Sequence, residues 1–316
     1  MKKLIVRILV FLIPIFFLLL LFEYALRSIP NDYSYKNNYL DRNSNKLEVL
    51  FLGNSHIYYG IDPDFMKMKS FNASHVAQPI DFDFEILKKN KEKLSKLKYI
   101  VIPIDYFTFY NRLENGKEKW RKKNYNIYYG FYKSYNPLNY FEILNGTITS
   151  NYKRLENNST CKNAYLYCNA LGWGKYDSRK NKNLVYSAIS ESALHKAPNN
   201  RYYNSSIGIL KRIISCAQDL RVKLILITCP VHKEYLKLIN SHQMDDAIKV
   251  ATSFSHQYPN VFYYNFLKDG SFRDNEFYDA DHLNEIGARK FTFKIDSIIQ
   301  SIEFDKKKKE KKLAID

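Results

Sequence analysis

Runs of apolar residues alternate with amphipathic stretches along most of this chain. Continuous apolar runs predict strands that are buried on both faces, and apolar residues spaced three and four apart predict helices. The predicted strands are 47–52, 67–71 (weakly marked), 99–104, 222–228 and 261–264. The predicted helices are 84–97, 207–220, 244–256 and 285–302. This alternating order predicts an α/β fold with a parallel sheet and helices on both of its faces.

The N-terminus has a different pattern. An apolar run from 8 to 22 follows the basic residues Lys2, Lys3 and Arg7. With the apolar residues just before it, this run is long enough to cross a bilayer core of about 30 Å. Residues 23–27 contain no small-x-small cleavage site, which favours an uncleaved signal anchor over a cleaved signal peptide. The basic residues favour a cytoplasmic N-terminus, with the remaining chain outside the cytoplasmic membrane.

These patterns divide the chain into three parts. Residues 1–30 are predicted to be a membrane anchor, 31–304 an α/β domain, and 305–316 a basic, disordered tail. The stretch 107–201 lacks regular periodicity and is rich in Tyr and Asn, so we expect an insertion or cap. Its aromatic side chains either stack on sugar rings or build the small core of the insertion.

The charge balance bears on the class of partner. The chain has 49 Lys and Arg residues against 32 Asp and Glu residues, a formal net charge of +17. An exported chain meets anionic glycans and lipid headgroups rather than nucleic acid, so we expect no nucleic-acid partner. A composition biased towards Lys and Asn explains the same excess without any partner.

Two short motifs near opposite ends of the chain carry the candidate chemistry. The first predicted strand stops at Gly53-Asn54-Ser55, and Asp279 precedes His282 by three residues. A serine needs a base to become a nucleophile, and that base needs a third group to orient it. Ser55 follows the carboxyl end of a strand, where parallel sheets bind ligands. Spacing alone leaves both Asp279 and Asp281 as the orienting carboxylate. His56 is adjacent to Ser55 and is expected to pack or lie at the surface.

Together these motifs resemble the SGNH (GDSL-type) hydrolase superfamily. The resemblance covers Gly53-Asn54-Ser55 and Asp279-x-x-His282-Leu283-Asn284-x-x-Gly287-Ala288. It implies a flavodoxin-like three-layer α/β/α fold, with Ser55 as nucleophile, His282 as base and Asp279 as the residue that orients it. Among its members, the chain is similar to membrane-anchored proteins that move acyl groups onto surface polymers, such as the alginate O-acetyltransferase and D-alanyl-lipoteichoic acid proteins.

The chain departs from that superfamily at the oxyanion hole. Members usually supply the N–H of the nucleophile, a glycine N–H after the second strand and an Asn side chain after the third. Here the second position is Ala73-Ser74, and the third has Asp105 and Tyr106. The resemblance therefore implies donors from the Ser55 N–H, the Ala73 or Ser74 N–H and the Tyr106 hydroxyl. Asp105 would repel an oxyanion unless it is protonated or paired.

These observations predict serine-dependent acyl transfer outside the cytoplasm, on a carbohydrate or other cell-envelope polymer, as an O-acetyltransferase or an O-acyl esterase. The resemblance also implies a multi-spanning membrane acyltransferase as the partner that supplies the acyl group. The altered oxyanion positions leave open a non-catalytic glycan-binding or assembly protein with the same fold. No motif suggests a metal or an organic cofactor.

Overall fold

The computed structural model describes residues 2–115, 117–131, 135–180, 182–196 and 199–313. The chain divides into two compact units. One unit is Met1–Asn38 with Lys119–Tyr167, and the other is Tyr39–Glu118 with Cys168–Asp316. The predicted insertion at 107–201 is thus too wide, because only its middle part separates from the sheet-bearing unit. Residues on its C-terminal side belong to that unit: the Asn72 N–H donates to Leu171 O at 2.9 Å, and the Trp173 indole donates to Tyr59 O at 2.7 Å.

Among the described residues, five strands form one parallel sheet in the order β2-β1-β3-β4-β5. The strands are β1 (Val49–Phe51), β2 (Ser70–Asn72), β3 (Tyr99–Pro103), β4 (Lys223–Thr228) and β5 (Val261–Asn265). The helices are α1 (Lys2–Arg27), α2 (Asp32–Asn43), α3 (Ser55–Gly60), α4 (Ile80–Asn90), α5 (Lys122–Asn124), α6 (Ile148–Thr160), α7 (Leu184–Leu194), α8 (Tyr203–Asp219), α9 (Lys233–Leu236), α10 (Ser241–Gln257) and α11 (Glu285–Leu313). The predicted α/β fold with a parallel sheet is confirmed.

The sheet is buried on both sides, which explains its continuous apolar strands. Val101 and Ile225 belong to a core cluster that includes Phe291 of α11. The alternate residues Ile100 and Leu226 point to the opposite face and are also fully buried. Helices therefore cover both faces, and the carboxyl ends of the parallel strands lie together at one edge.

The last helix is longer than predicted. It continues from Glu285 to Leu313, through most of the segment where we expected a disordered basic tail. Lysine is a good helix former, so a Lys-rich segment can extend a helix that is already nucleated. Residues 314–316 lie outside the described residues.

In the other unit, α1 is a 26-residue helix that contains Pro14. It is long and apolar enough to cross a membrane, and its apolar side chains are exposed. At about 1.5 Å per residue, such a helix exceeds the hydrocarbon thickness of a bilayer. The aromatic residues of this unit partly form a core of their own, as one of our two interpretations expected: Tyr33 and Tyr125 make an edge-to-face contact at 5.1 Å, and Tyr129 packs beside them.

Candidate active site

Ser55 lies immediately after the carboxyl end of β1, as the first residue of α3. The chain turns between them at Gly53, whose φ is +122° and where a Cβ would lie 2.3 Å from the ring of Pro103. Only glycine fits this position, because a side chain would meet both backbone strain and a clash. Asn54 caps α3 by accepting a hydrogen bond from the His56 N–H at 2.9 Å. The turn therefore holds Ser55 at the sheet edge.

His282 and Asp279 approach Ser55 from the loop before α11. The distance from His282 Nε2 to Ser55 Oγ is 2.8 Å, and His282 Nδ1 lies 3.0 Å from Asp279 Oδ1. The same Asp279 oxygen accepts the backbone N–H groups of Asp281 and His282, which fixes the carboxylate within its loop. The structure thus brings together the three side chains that the sequence singled out, in the order serine, histidine and carboxylate.

The loop that carries His282 is fixed on its other side by the start of α11. Asn284 Oδ1 accepts the N–H groups of Ile286 and Gly287, so Asn284 is the N-cap of that helix. A Cβ at Gly287 would lie 2.2 Å from Glu276 O, which explains a glycine at this close approach. These contacts limit the freedom of the imidazole before any substrate binds.

The charges around His282 favour a protonated imidazole next to an ionised Asp279. Burial by itself would lower the pKa of His282, but the carboxylates of Asp279 and Asp281 outweigh it and raise the pKa above its usual value. Burial would raise the pKa of Asp279, but the neighbouring His282 lowers it. The site therefore stabilises an imidazolium, which is the state that a general base reaches after accepting a proton.

The expected oxyanion donors require a correction. The Ala73 N–H donates to Phe51 O at 2.8 Å, and the Ser74 N–H donates to Asn72 Oδ1 at 3.2 Å. The first bond continues the sheet beyond β2 and the second is a local turn with the Asn72 side chain, so both N–H groups already have acceptors. Among the described residues, no acceptor is found for the N–H of Ser55, which remains available at the start of α3.

The Tyr106 hydroxyl belongs to a buried polar cluster. Among the described residues, its one hydrogen-bond partner is the Tyr235 hydroxyl, which donates to it at 3.5 Å. Burial raises the pKa of Tyr106, so this phenol keeps its proton. It has a proton to donate, but the structure shows no hydrogen bond between Tyr106 and either Ser55 or His282.

Sequence reasoning missed the part played by His56. Its buried ring lies between two carboxylates, with Nδ1 3.0 Å from Asp105 Oδ1 and Nε2 2.8 Å from Asp281 Oδ1. Burial would lower the pKa of His56, but Asp105 and Asp281 raise it well above its usual value. The expectation that it would pack or lie at the surface therefore omitted an ion pair. In the sequence, the only indication of this ion pair is the presence of carboxylates at Asp105 and Asp281. Both lie far from His56 along the chain.

The sequence analysis expected Asp105 to repel an oxyanion unless it is protonated or paired. The structure shows that it is paired. Asn54 Nδ2 donates to Asp105 Oδ2 at 2.7 Å, while His56 lies against the other oxygen. Asp281 is held similarly, because His195 Nε2 lies 3.1 Å from its second oxygen. The neighbouring His56 and His282 lower the pKa of Asp281 well below its usual value, although burial opposes this. Asp281 is thus the partner of His56, while Asp279 is the carboxylate that contacts His282 Nδ1.

Three stacked tyrosines flank His282. The Tyr59 and Tyr176 rings stack at 3.7 Å, and the Tyr176 and Tyr278 rings at 3.8 Å. Tyr59 also makes an edge contact with the His282 ring at 5.4 Å. Both faces of Tyr176 are therefore covered, so it cannot offer a stacking face to a sugar ring.

Among the described residues, three groups of side chains lie close enough to share a metal ion. The groups are His56 with Asp105 and Cys229, His56 with Asp281 and His282, and Glu191 with His195 and Asp281. Each group contains a histidine and a carboxylate already in contact, as in the His56–Asp281 and His195–Asp281 pairs. Because these pairs explain the closeness of the groups, we assign no metal to them.

No family model matches this sequence, and no curated protein sequence matches it. Among solved structures, the chain is similar to a Bacteroides fragilis protein described as an acylhydrolase. The two are 11% identical, the match covers 84% of this chain and 93% of that one, and the TM-score is 0.39. It is also similar to a GDSL-like lipase from Bacteroides thetaiotaomicron, with 10% identity, coverage of 86% and 99%, and a TM-score of 0.40. A Streptococcus pneumoniae protein described as a platelet activating factor has 10% identity, coverage of 92% and 98%, and a TM-score of 0.44.

Proposed function

We propose that this chain is a membrane-anchored serine enzyme of the SGNH type that transfers or hydrolyses acyl groups on cell-surface carbohydrate. The observation that supports it is the contact series from Ser55 Oγ to His282 Nε2 at 2.8 Å and from His282 Nδ1 to Asp279 Oδ1 at 3.0 Å. This arrangement activates a serine for nucleophilic attack, irrespective of the fold that carries it.

The first chemical step forms an acyl-enzyme. His282 Nε2 accepts the hydroxyl proton as Ser55 Oγ attacks the carbonyl carbon of an ester, and Asp279 stabilises the imidazolium that results. The Ser55 N–H, which has no acceptor among the described residues, donates to the developing oxyanion. His282 then returns the proton to the departing alkoxide, so the leaving group departs as a neutral alcohol.

The second step reverses these roles with a new acceptor. His282 removes a proton from water or from a carbohydrate hydroxyl, and that oxygen attacks the acyl-enzyme and releases Ser55. Water gives an O-acyl esterase, whereas a sugar hydroxyl gives an O-acyltransferase. Both reactions use the same three side chains, so the acceptor alone separates them.

We place the reaction on the outer side of the cytoplasmic membrane. The basic residues Lys2, Lys3 and Arg7 precede the apolar part of α1 and favour retention of that end in the cytoplasm. A transferase at this location needs an acyl donor from inside the cell, which we propose is supplied by a multi-spanning membrane acyltransferase. The substrate is a carbohydrate or another polymer of the cell envelope, and nucleic acid has no part in the reaction.

The proposal is tested with the full chain in detergent, a serine-directed fluorophosphonate probe and p-nitrophenyl acetate. We expect Ser55→Ala to abolish labelling and ester turnover, and His282→Ala to abolish turnover. Ser205→Ala, at an exposed position of α8, is the matched control and should retain both. Labelling of Ser55→Ala at the wild-type level would refute the proposed nucleophile. Adding a soluble oligosaccharide then separates transfer from hydrolysis by the appearance of an acylated sugar.

A second candidate function follows from the occupied oxyanion donors. The Ala73 and Ser74 N–H groups already have acceptors, and losing one donor costs about 10²–10³ in rate in a well-characterised protease. A non-catalytic glycan-binding or assembly protein would tolerate that loss. Binding of a cell-envelope glycan by both the wild type and Ser55→Ala, without labelling or turnover in either, would favour this alternative.

A further inference from the structure

The unit that contains α1 exposes several large apolar side chains outside that helix. We call Leu138, Phe141, Leu144, Ile148 and Tyr152 the apolar patch; their exposed fractions range from 42% to 80%. Residues 138–152 contain a single charged residue, Glu142, and its side chain is buried. Large apolar side chains that are exposed together in one short segment of a protein surface often mark an interaction site.

Hydrogen bonds attach this stretch to the last turn of α1. The Glu23 carboxylate accepts the Glu142 N–H at 3.0 Å and the Ile143 N–H at 2.8 Å. Arg27 Nη2 donates to Tyr140 O at 2.6 Å, and Arg27 Nε also pairs with Glu23. The apolar patch is therefore attached to α1 just beyond Phe22, where the apolar run of the helix ends.

This attachment sets a depth in the membrane. The five residues from Glu23 to Arg27 rise about 7 Å along a helix at 1.5 Å per residue. The interfacial layer on each side of the hydrocarbon core is about 5–7 Å thick. If the apolar run of α1 spans the core, residues 140–143 lie at the level of the lipid headgroups. Tyr24 is exposed at the same level, where aromatic side chains are enriched in membrane proteins.

Several backbone carbonyls of the stretch have hydrogen-bond partners within the same unit. Asn145 Nδ2 donates to the carbonyls of Leu138 and Phe141, and Asn151 Nδ2 donates to Ile143 O at 3.1 Å. Together with the Arg27 contact to Tyr140 O, these bonds give four carbonyls a partner within the protein. Such partners lower the cost of moving the backbone of this stretch out of bulk water.

The single charge of the stretch is also neutralised internally. Glu142 lies 2.9 Å from Arg154 Nη1 and 3.4 Å from Lys123 Nζ, and it accepts the Tyr128 hydroxyl at 3.0 Å. Burial would raise the pKa of Glu142, but Lys123 and Arg154 lower it. The carboxylate therefore remains charged and paired, and it does not add charge to the exposed surface.

We infer that the apolar patch inserts into the headgroup layer of the bilayer that α1 crosses, so that this unit holds the membrane by two contacts rather than one. The inference rests on the membrane anchor included in the proposed function. A bilayer is the occupant that the structure favours, because hydrogen bonds to the end of the apolar helix fix the patch at that depth. Burial of several large apolar side chains in this layer is the mode by which interfacial segments bind membranes.

The test uses the full chain, with its native cysteines replaced by serine, in vesicles of phosphatidylcholine and phosphatidylglycerol. Single cysteines at Leu12, Ile148 and Ser159 carry an environment-sensitive fluorophore. A lipid with a nitroxide near the end of its acyl chain is the quencher for Leu12, and a lipid with a nitroxide near its headgroup is the quencher for Ile148 and Ser159. Ser159 is exposed near the C-terminal end of α6 and is the control for Ile148 on the same helix. We expect the acyl-chain nitroxide to reduce the Leu12 signal, and the headgroup nitroxide the Ile148 signal, each by about twofold or more, while the Ser159 signal changes little.

Two results would overturn the inference in distinguishable ways. Quenching at Leu12 with Ile148 behaving like Ser159 would leave the anchor intact and refute the second contact. No quenching at Leu12 by the acyl-chain nitroxide would refute the membrane span itself, and the inference with it. If the cysteine-free chain does not fold, the unmodified chain in vesicles with a headgroup-level photoreactive lipid replaces it. Adducts within residues 138–152 are then expected, and their absence alongside adducts in α1 would refute the second contact.

Discussion

His56 Nε2 lies 2.8 Å from Asp281 Oδ1, so the residue after the candidate nucleophile pairs with the residue before the candidate base. The two segments that carry Ser55 and His282 are thereby joined by a second contact beside the one between Ser55 and His282 themselves. Because both side chains are buried, the pair is shielded from solvent and depends on correct folding of both loops.

We predict that His56→Gln destabilises the protein, because the buried Asp105 would keep only the Asn54 amide as a partner and Asp281 would lose one of its histidines. Removing one member of a buried ion pair typically costs about 3–5 kcal/mol in the free energy of unfolding. Urea unfolding of the full chain in detergent measures it. His242→Gln, which removes an exposed histidine beside Asp246, is the control and should cost less than about 1 kcal/mol. An equal loss in the free energy of unfolding for both substitutions would show that the buried His56 pair stabilises the protein no more than an exposed pair does.

We predict that Asp279→Asn leaves the fold intact but lowers ester turnover by up to about 10⁴, because the imidazole loses the carboxylate that orients it. Steady-state turnover and a thermal unfolding curve for the same sample separate the two effects. Asp281→Asn should act mainly on stability through His56. Unchanged turnover in Asp279→Asn, with complete loss in Asp281→Asn, would move the orienting role to Asp281.

The pH dependence of kcat/KM follows from the raised pKa of His282. Only the neutral imidazole accepts a proton, so activity is low below this pKa and rises as pH increases through it. The midpoint should lie above the ordinary histidine value of about 6.5. Asp279→Asn removes the carboxylate that raises this pKa, so the midpoint of its residual activity should move to lower pH. A wild-type midpoint at or below the ordinary value would show that Asp279 and Asp281 do not raise the pKa of His282 in the free enzyme.

We predict that Gly53→Ala costs more than about 3 kcal/mol in the free energy of unfolding, since the new Cβ would meet Pro103 at a positive φ. Gly208→Ala is the matched control on α8, because a Cβ there meets nothing within 4 Å. That control should stabilise the helix by about 0.5–1 kcal/mol. Chemical denaturation of both variants provides the comparison, and a neutral Gly53→Ala would mean that the turn can move.

Local patterns predicted much of this protein. The strands could be predicted because continuous apolar runs such as that of β4 need burial on both faces, and the end of β1 placed Ser55 at the edge of the sheet. Asp279 and His282 are three residues apart, so their contact is nearly local. The element boundaries were predicted less well. The helix predicted at 84–97 is α4, which begins at Ile80 and ends at Asn90. The prediction missed these ends because the first turn of α4 and the turn after it have little apolar periodicity.

The amino-acid sequence by itself determined the α/β fold class, the apolar N-terminal helix and the residue types of the candidate site, since each depends on short-range spacing or on the composition of one segment. Only the tertiary structure decided which distant groups meet. It paired His56 with Asp105 and Asp281, engaged the Ala73 and Ser74 N–H groups, and joined residues 119–167 to the unit that contains α1. These outcomes depend on the packing of segments far apart in the chain, where burial and charge pairing act together and leave no periodic signal in the sequence.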